Sequence, residues 1–172
     1  MAARDPRTNP LLNPFLNPML NPLLNPALNP LLNASINPVT NPAINPVSNP
    51  LLSPATNPLL NPILNPLLNP LANPALNPSF NSSLRPSDEG SALVEYDRML
   101  QPAGFLTSIG EQLFLRFEMD STFAGLHVRN GVSGYNTFDK NNAWVGHLVL
   151  ASAKDNLYLA FDPANVWQGV VV

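Results

Sequence analysis

Asn9-Pro10-Leu11-Leu12 is the first of nineteen tetrapeptides that follow one another without insertion or deletion as far as Asn81-Ser82-Ser83-Leu84. Asn opens eighteen of the nineteen, and Pro takes the second position in seventeen. A flexible linker has no reason to keep such a count. The constant period therefore predicts an ordered rod that is built from one unit per tetrad.

The prolines limit the conformations that this rod can adopt. A proline at every fourth position removes a backbone donor and clashes with the preceding turn, which excludes both a water-soluble α-helix and a transmembrane helix. Two conformations stay open. In one, each Asn begins a type I turn and its side chain bonds the backbone two residues on. In the other, which we favour, the tetrads run extended, as polyproline II or β-like strand.

The Asn-Pro pairs carry one resemblance to a known family. They resemble the Asn-Pro repeats of malaria circumsporozoite proteins, in which serial turns form. The likeness covers only the first two positions of each tetrad, because small polar residues fill the other two positions in that family. Neither fold nor function is therefore carried over.

Composition divides the chain into segments that contain different residue types. No Asp, Glu, Lys or Arg lies between Arg7 and Arg85, whereas all eight glycines lie from Gly90 onward. We predict an N-terminal tail at residues 1–8, an uncharged Asn-Pro-x-x rod at residues 9–84 and a small β-rich domain at residues 85–172. The chain's net charge of -3 argues against nucleic acid as a partner.

The last part of the chain has the patterns of β-strands. Leu113, Leu115, Phe117 and Met119 share one face of a strand that has Arg116 and Glu118 on the other, and Asn130-Gly131 is a hairpin signal. Further strands are predicted at residues 123–129, 132–138, 143–152, 157–161 and 166–172. Ahead of them, residues 87–89 are predicted to cap a short helix that runs to Leu100. The predicted fold is mainly β, with a small antiparallel β-sandwich or open barrel after the extended rod.

The rod also predicts a partner, because an extended chain has no interior in which to bury apolar side chains. The fourth position of the tetrad is predominantly large and aliphatic. We predict that its leucines form an assembly interface: Leu12, Leu16, Leu20, Leu24, Leu28, Leu32, Leu52, Leu60, Leu64, Leu68, Leu76 and Leu84. Between Asn33 and Thr56 the residue at this position becomes β-branched or hydroxylated. This change indicates either a different contact zone or sequence drift in a repeat that tolerates substitution.

The final apolar strand is a second candidate contact. Val170, Val171 and Val172 follow one another with no polar residue between them. Such a strand is either central to its own domain or paired with the edge of a neighbour's sheet.

Catalytic patterns are missing from the sequence. It contains no cysteine, no Gly-rich phosphate loop and no nucleophile elbow. His127 and His147 each fall within a predicted strand and are interpreted as structural residues. We therefore predict a protein that is not an enzyme and has no metal or cofactor.

These features favour a structural protein, the subunit of a self-assembling filament whose rod is buried between copies of itself. A coat protein of a lipid body, granule or other filament is an alternative, and so is a virion component with an N-terminal arm threading between subunits. Residues 1–10 lack the apolar run of a secretory signal. The expected location is therefore the cytoplasm, a surface filament exported by another route, or a virion.

Overall fold

The C-terminal part of the chain is a closed barrel of eight antiparallel strands. The computed structural model describes residues 4–87, 91–131 and 134–172. Each strand pairs with the next one, and the last pairs with the first. The strands are β1 Leu93–Asp97, β2 Pro102–Ile109, β3 Leu113–Glu118, β4 Phe123–Arg129, β5 Gly134–Asp139, β6 Trp144–Ser152, β7 Leu157–Phe161 and β8 Trp167–Val171.

The mainly β fold is confirmed, and two details of the prediction are corrected. The barrel is closed, rather than open or split into a sandwich. The residues predicted as a short helix, from 91 to 100, instead form β1 and its turn, and β1 fills the gap between β8 and β2. Residues 88–90 of that predicted helix lie outside the described residues, as do residues 132–133 of one predicted strand. The sequence predicts no strand at the positions of β1 and β2, and these two strands complete the ring.

The barrel consists of four similar hairpins, which pair β1 with β2, β3 with β4, β5 with β6 and β7 with β8. One residue with positive φ lies at the same place in each hairpin turn: Leu100, Ser121, Asn142 and Asn165. Each second strand is bulged one residue before a glycine: Gly104, Gly125, Gly146 and Gly169. These glycines are 21, 21 and 23 residues apart. The four hairpins therefore give the barrel approximate fourfold symmetry.

Two of the bulge glycines show why the position is fixed. Gly125 has φ +150 and Gly146 has φ +156. A Cβ at Gly125 would lie 2.0 Å from the carbonyl oxygen of Phe138, and one at Gly146 would lie 2.2 Å from that of Phe161. Only glycine allows the neighbouring strands to approach this closely.

One face of the strands fills the barrel interior. A single cluster of buried residues from strands all around the ring packs there: Leu93, Leu106, Tyr135, Leu148 and Val171. The guanidinium of Arg116 donates to Glu95 over 2.6 Å, and His127 bonds the hydroxyl of Thr137 over 2.9 Å. An eight-stranded barrel has room for its own side chains and little more. The repeats must therefore lie outside it.

The tetrads form serial turns. The carbonyl of Asn17 accepts a hydrogen bond from the amide of Leu20 over 3.0 Å, and its side-chain oxygen accepts from the amide of Met19 over 3.1 Å. The same bonds recur along residues 9–84, and six tetrads close as short 3-10 turns: Pro26–Leu28, Ala34–Ile36, Pro50–Leu52, Pro58–Leu60, Pro74–Leu76 and Ser82–Leu84. The favoured extended conformation is thus wrong, because each Asn side chain supplies the acceptor that bends its tetrad. We call residues 9–84 the repeat coil.

Successive tetrads in the coil are not equivalent, so the structural unit has eight residues. In the first tetrad of each octad, the fourth side chain points inward and is buried or half-buried: Leu12, Leu20, Leu28, Ile36, Ile44, Leu52, Leu60, Leu68, Leu76 and Leu84. In the second tetrad, the fourth side chain is exposed: Leu16, Leu24, Leu32, Thr40, Ser48, Thr56, Leu64, Ala72 and Phe80. Side-chain amides tie consecutive octads together, as Asn25 donates to the carbonyl of Met19 over 2.7 Å.

The coil wraps around the outside of its own barrel. Inward residues 12–36 pack with β1, β6, β7 and β8, whereas Leu60, Leu68 and Leu76 pack with β2 to β5. The whole chain exposes 8551 Å², close to the roughly 8,200 Å² that a compact monomer of this mass exposes. The interior that the repeats were predicted to need is thus provided by residues 91–172 of the same molecule.

Polar contacts set the position of the coil on the barrel. Asn165 and Asn142, from equivalent hairpin turns, donate to the side-chain oxygens of Asn37 over 3.3 Å and Asn61 over 3.0 Å. These coil residues are three octads apart, and the barrel residues are one hairpin apart. Between them, the buried Asn136 side chain donates to the carbonyl of Ile44 over 2.9 Å. Three octads of coil therefore match one hairpin of barrel.

Candidate functional site

The outer face of the repeat coil is the most unusual surface of the molecule. Its large apolar side chains are 55–80 % exposed, and they are separated only by Asn, Pro and small residues. They fall mainly into two groups. The first arc comprises Leu11, Phe15, Leu16, Met19, Leu23, Leu24, Leu31 and Leu32. The second arc comprises Leu59, Ile63, Leu64, Leu67, Leu71 and Phe80.

The two arcs lie on opposite sides of the barrel. In the first arc, the ring of Phe15 packs edge-on against Trp167 of β8 with the ring centroids 5.4 Å apart. In the second arc, Ile63 and Leu71 border a cleft with Phe123 of β4. Strands β8 and β4 are diametrically opposite in a closed ring of eight. A single molecule therefore presents two apolar faces that point away from each other.

The surface between the arcs is different in character. From residue 33 to residue 56 the coil exposes the hydroxyl-bearing residues Ser35, Thr40, Ser48 and Thr56, with Val39, Val47 and Leu51 as the large apolar residues between them. On the opposite side, the ends of the coil approach each other beside β1, where Arg4 and Pro86 border one cleft with Tyr96. The hydroxyl-bearing stretch that the sequence shows at residues 33–56 thus separates the two arcs.

The structure places the twelve predicted interface leucines in two environments. Eight of them lie against the barrel of their own chain, buried or half-buried: Leu12, Leu20, Leu28, Leu52, Leu60, Leu68, Leu76 and Leu84. The other four are exposed on the arcs: Leu16, Leu24, Leu32 and Leu64. Only these four are available for contact with another molecule, and for them the predicted interface stays a prediction.

The final valines lie within the barrel wall. Val170 and Val171 belong to β8, which is paired with β7 on one side and β1 on the other. Val172 exchanges two backbone hydrogen bonds with Val94. Of the two alternatives for this strand, the structure shows the one in which it is central to its own domain. No free edge is left there for the predicted contact with a neighbour.

Polar groups without a side-chain partner lie under the middle of the coil. His147 is 1 % exposed and stacks on Phe161 with ring centroids 5.4 Å apart. It lies opposite Asn136 where β5 and β6 pair, and neither nitrogen of its ring has a hydrogen-bond partner within residues 4–87, 91–131 and 134–172. Burial lowers the pKa of His147 to about 4, and the carboxylate of Asp162 acts weakly in the opposite direction. Among the described residues, no three His, Asp or Glu side chains come together as ligands for a metal ion. Within the same ranges, no helix is long and apolar enough to span a bilayer.

His147 should make the fold sensitive to acid. Its pKa is about 4 when folded and near 6.5 when unfolded, so the unfolded chain binds more protons between these values. The contribution of neutral His147 is complete above pH 6.5 and is lost as the pH falls toward 4. We expect His147→Gln to reduce the pH dependence of the free energy of unfolding by up to about 1.4 kcal/mol per pH unit. Urea unfolding at several pH values measures this slope, and an unchanged slope would contradict the assignment.

Comparison with protein-family models, with curated proteins and with solved structures finds no match to the chain. The candidate site therefore depends on the geometry of this molecule alone.

Two signals in the sequence point to this surface without a structure. In the first tetrads of the octads, the fourth residue is always Leu or Ile, whereas in the second tetrads it also includes Thr, Ser, Ala and Phe. The glycines from Gly104 to Gly146 recur every 21 residues. Counting by eight separates the inward leucines from the exposed ones, and counting by 21 identifies three of the four hairpins of the barrel.

Proposed function

We propose that the protein is a structural subunit that assembles into a filament through the two apolar arcs of its repeat coil. The observation that supports this proposal is the position of the arcs on opposite sides of the barrel. A subunit with two opposed adhesive faces adds further copies in line, and the contacts do not close into a ring. In this arrangement the coil lies between neighbouring barrels, which act as the repeating modules.

The size of each arc suits such a contact. Burying an exposed Leu, Ile, Phe or Met side chain is worth up to about 1.5–3 kcal/mol, and association costs roughly 4–15 kcal/mol. The eight large side chains of the first arc and the six of the second can therefore offset that cost. No charged residue lies between Arg7 and Arg85, so the coil itself brings no charge to the contact between two arcs.

The opposed arcs also distinguish this function from a coat on a lipid body or granule. A flat surface can cover one side of the barrel and leaves the other arc in water. Contacts between copies cover both arcs of every subunit except the two at the filament ends. Flotation with lipid droplets provides a direct comparison, since self-assembly does not require lipid.

A charge on either arc should stop assembly, because a carboxylate would be buried without a partner at the contact. Leu24 lies on the first arc and Leu64 on the second, with 66 % and 65 % of each residue exposed. We expect Leu24→Asp or Leu64→Asp alone to leave one competent arc and species no larger than dimers. The double variant should be monomeric. Sedimentation velocity over a range of concentrations measures these states.

Thr40→Asp is the matched control for this experiment. Thr40 occupies the same position of an octad as Leu24 and Leu64, but it lies between the arcs. We expect this variant to assemble much as the wild type does. Equal assembly of the double variant and the wild type would overturn the proposal.

A further inference from the structure

Two clefts between the coil and the hairpin turns have equivalent barrel walls. The first cleft, of about 230 Å³, lies between coil residues Leu23 and Leu31 and barrel residues Val166 and Trp167, with Arg98 at its side. The second, of about 310 Å³, lies between Ile63, Leu71, Thr122 and Phe123, with Lys140 at its side. Each cleft is an apolar groove bordered by one cationic side chain.

The barrel walls of the two clefts correspond, whereas their coil walls only resemble each other. Leu23 and Leu31 are five octads before Ile63 and Leu71, one octad fewer than two hairpins span. Trp167 and Phe123 each follow the turn of their hairpin and begin a strand. The cations also correspond, since each comes directly after an aspartate whose side-chain oxygen accepts amides of its turn: Asp97 before Arg98, and Asp139 before Lys140. The same groove with the same charge thus occurs twice, on opposite sides of the barrel.

The cations are available to a ligand. In the described part of the chain, the ion pairs join Arg7 to Asp5 and Arg116 to Glu95, and neither involves Arg98 or Lys140. Both residues are exposed or half-buried at the mouth of their cleft. From the apolar walls and the single cation, we propose that each cleft binds a fatty-acid-like carboxylate, with its chain along the coil and its head group at Arg98 or Lys140.

A third cleft supplies an internal comparison. It has a volume of about 240 Å³ and occupies the next octad of the coil, against the turn between β3 and β4. Its charged residue is Asp120, and it has no Lys or Arg among its lining residues. A carboxylate ligand is repelled from this cleft, so the stoichiometry should be two ligands per chain.

Equilibrium dialysis against octanoate tests the proposal at protein concentrations where sedimentation shows monomers, because assembly would cover the arc residues that line both clefts. We expect two octanoates per wild-type chain, one for Arg98→Gln or Lys140→Gln, and none for the double variant. Octanamide, which has the same chain without the charge, should bind about tenfold more weakly. Asp120→Asn should leave the count at two.

Two results would overturn the proposal. One is equal binding of octanoate and octanamide, which would mean apolar adsorption on the arcs. The other is a double variant that still binds two octanoates. Thermal unfolding checks that the substitutions leave the fold intact, as expected for residues at the mouth of a surface cleft. Failure of ligand binding would leave the assembly proposal standing, because sedimentation of the arc variants measures that proposal separately.

Discussion

Deleting the single tetrad at residues 49–52 should lower the free energy of unfolding by more than about 4 kcal/mol. The deletion exchanges the roles of the two tetrads in every later octad. Thr56, Leu64, Ala72 and Phe80 would then point inward in place of Leu60, Leu68, Leu76 and Leu84. A buried Leu replaced by Ala alone costs about 2–5 kcal/mol, and a buried threonine hydroxyl without a partner adds to the loss.

The deletion keeps the chemistry of the polar contacts between coil and barrel. Asn61 accepts a hydrogen bond from Asn142 over 3.0 Å, and Asn65 moves into its position when four residues are removed. Leu51→Ala is the control within the same tetrad, because Leu51 is 74 % exposed and its loss leaves the phase unchanged. Urea unfolding measures both variants. A deletion that costs no more than Leu51→Ala would show that the octad phase is not required.

Leu20→Asp should destabilise the protein by about 4 kcal/mol or more, whereas Leu24→Asp should change its stability by less than about 0.5 kcal/mol. The two leucines occupy the fourth position of adjacent tetrads. Leu20 is 5 % exposed and packs among barrel residues such as Phe161 and Val170, whereas Leu24 faces water. The carboxylate at position 20 would be buried among apolar side chains, which accounts for the larger effect.

The pair of substitutions is informative because the chemical change and the local sequence are the same. Denaturant unfolding of both variants at a concentration that limits assembly gives the comparison. Similar losses at the two positions would contradict the alternation of inward and outward tetrads. They would also remove the reason for assigning assembly to the residues of the second tetrads.

The sequence predicted the individual strands of the fold better than their arrangement in the barrel. Strand alternation identified β3, β4, β6 and β7 nearly to their ends, because the apolar face of these strands, such as Leu113, Leu115 and Phe117 of β3, is buried under the repeat coil. β1 was predicted as part of a helix, since apolar residues at 93, 96 and 100 also fit a helical period. The glycines of the bulges were not recognised as a repeat, and without them the closure of the barrel was not foreseen.

The coil shows why local reasoning stops short of the functional surface. The Asn-Pro pair is compatible with both turns and extended chain, and the choice is made by the Asn side chain and by packing on the barrel. A leucine at the fourth position faces inward if it belongs to the first tetrad of an octad and outward if it belongs to the second. The two tetrads differ only because the barrel lies on one side of the coil. Eight of the twelve predicted interface leucines therefore point inward, three of them buried and five half-buried.

The constant count of the repeats has a physical explanation in this arrangement. Three octads pass each hairpin, as the contacts of Asn37 with Asn165 and of Asn61 with Asn142 show. One inserted residue would shift all later contacts by a fraction of a turn. The clefts beside the first and second arcs are five octads apart along the coil and lie on opposite sides of the barrel. Register on the barrel and the position of the two adhesive faces therefore have the same origin.

Electron microscopy of the purified wild-type protein beside the Leu24→Asp/Leu64→Asp double variant tests the central claim most directly. We predict unbranched filaments one molecule wide from the wild type, with an axial spacing of roughly 40 Å, the diameter of a compact chain of this length. The double variant should give separate particles of that same diameter. Separate particles from both proteins, or filaments from both, would contradict assembly through the two arcs.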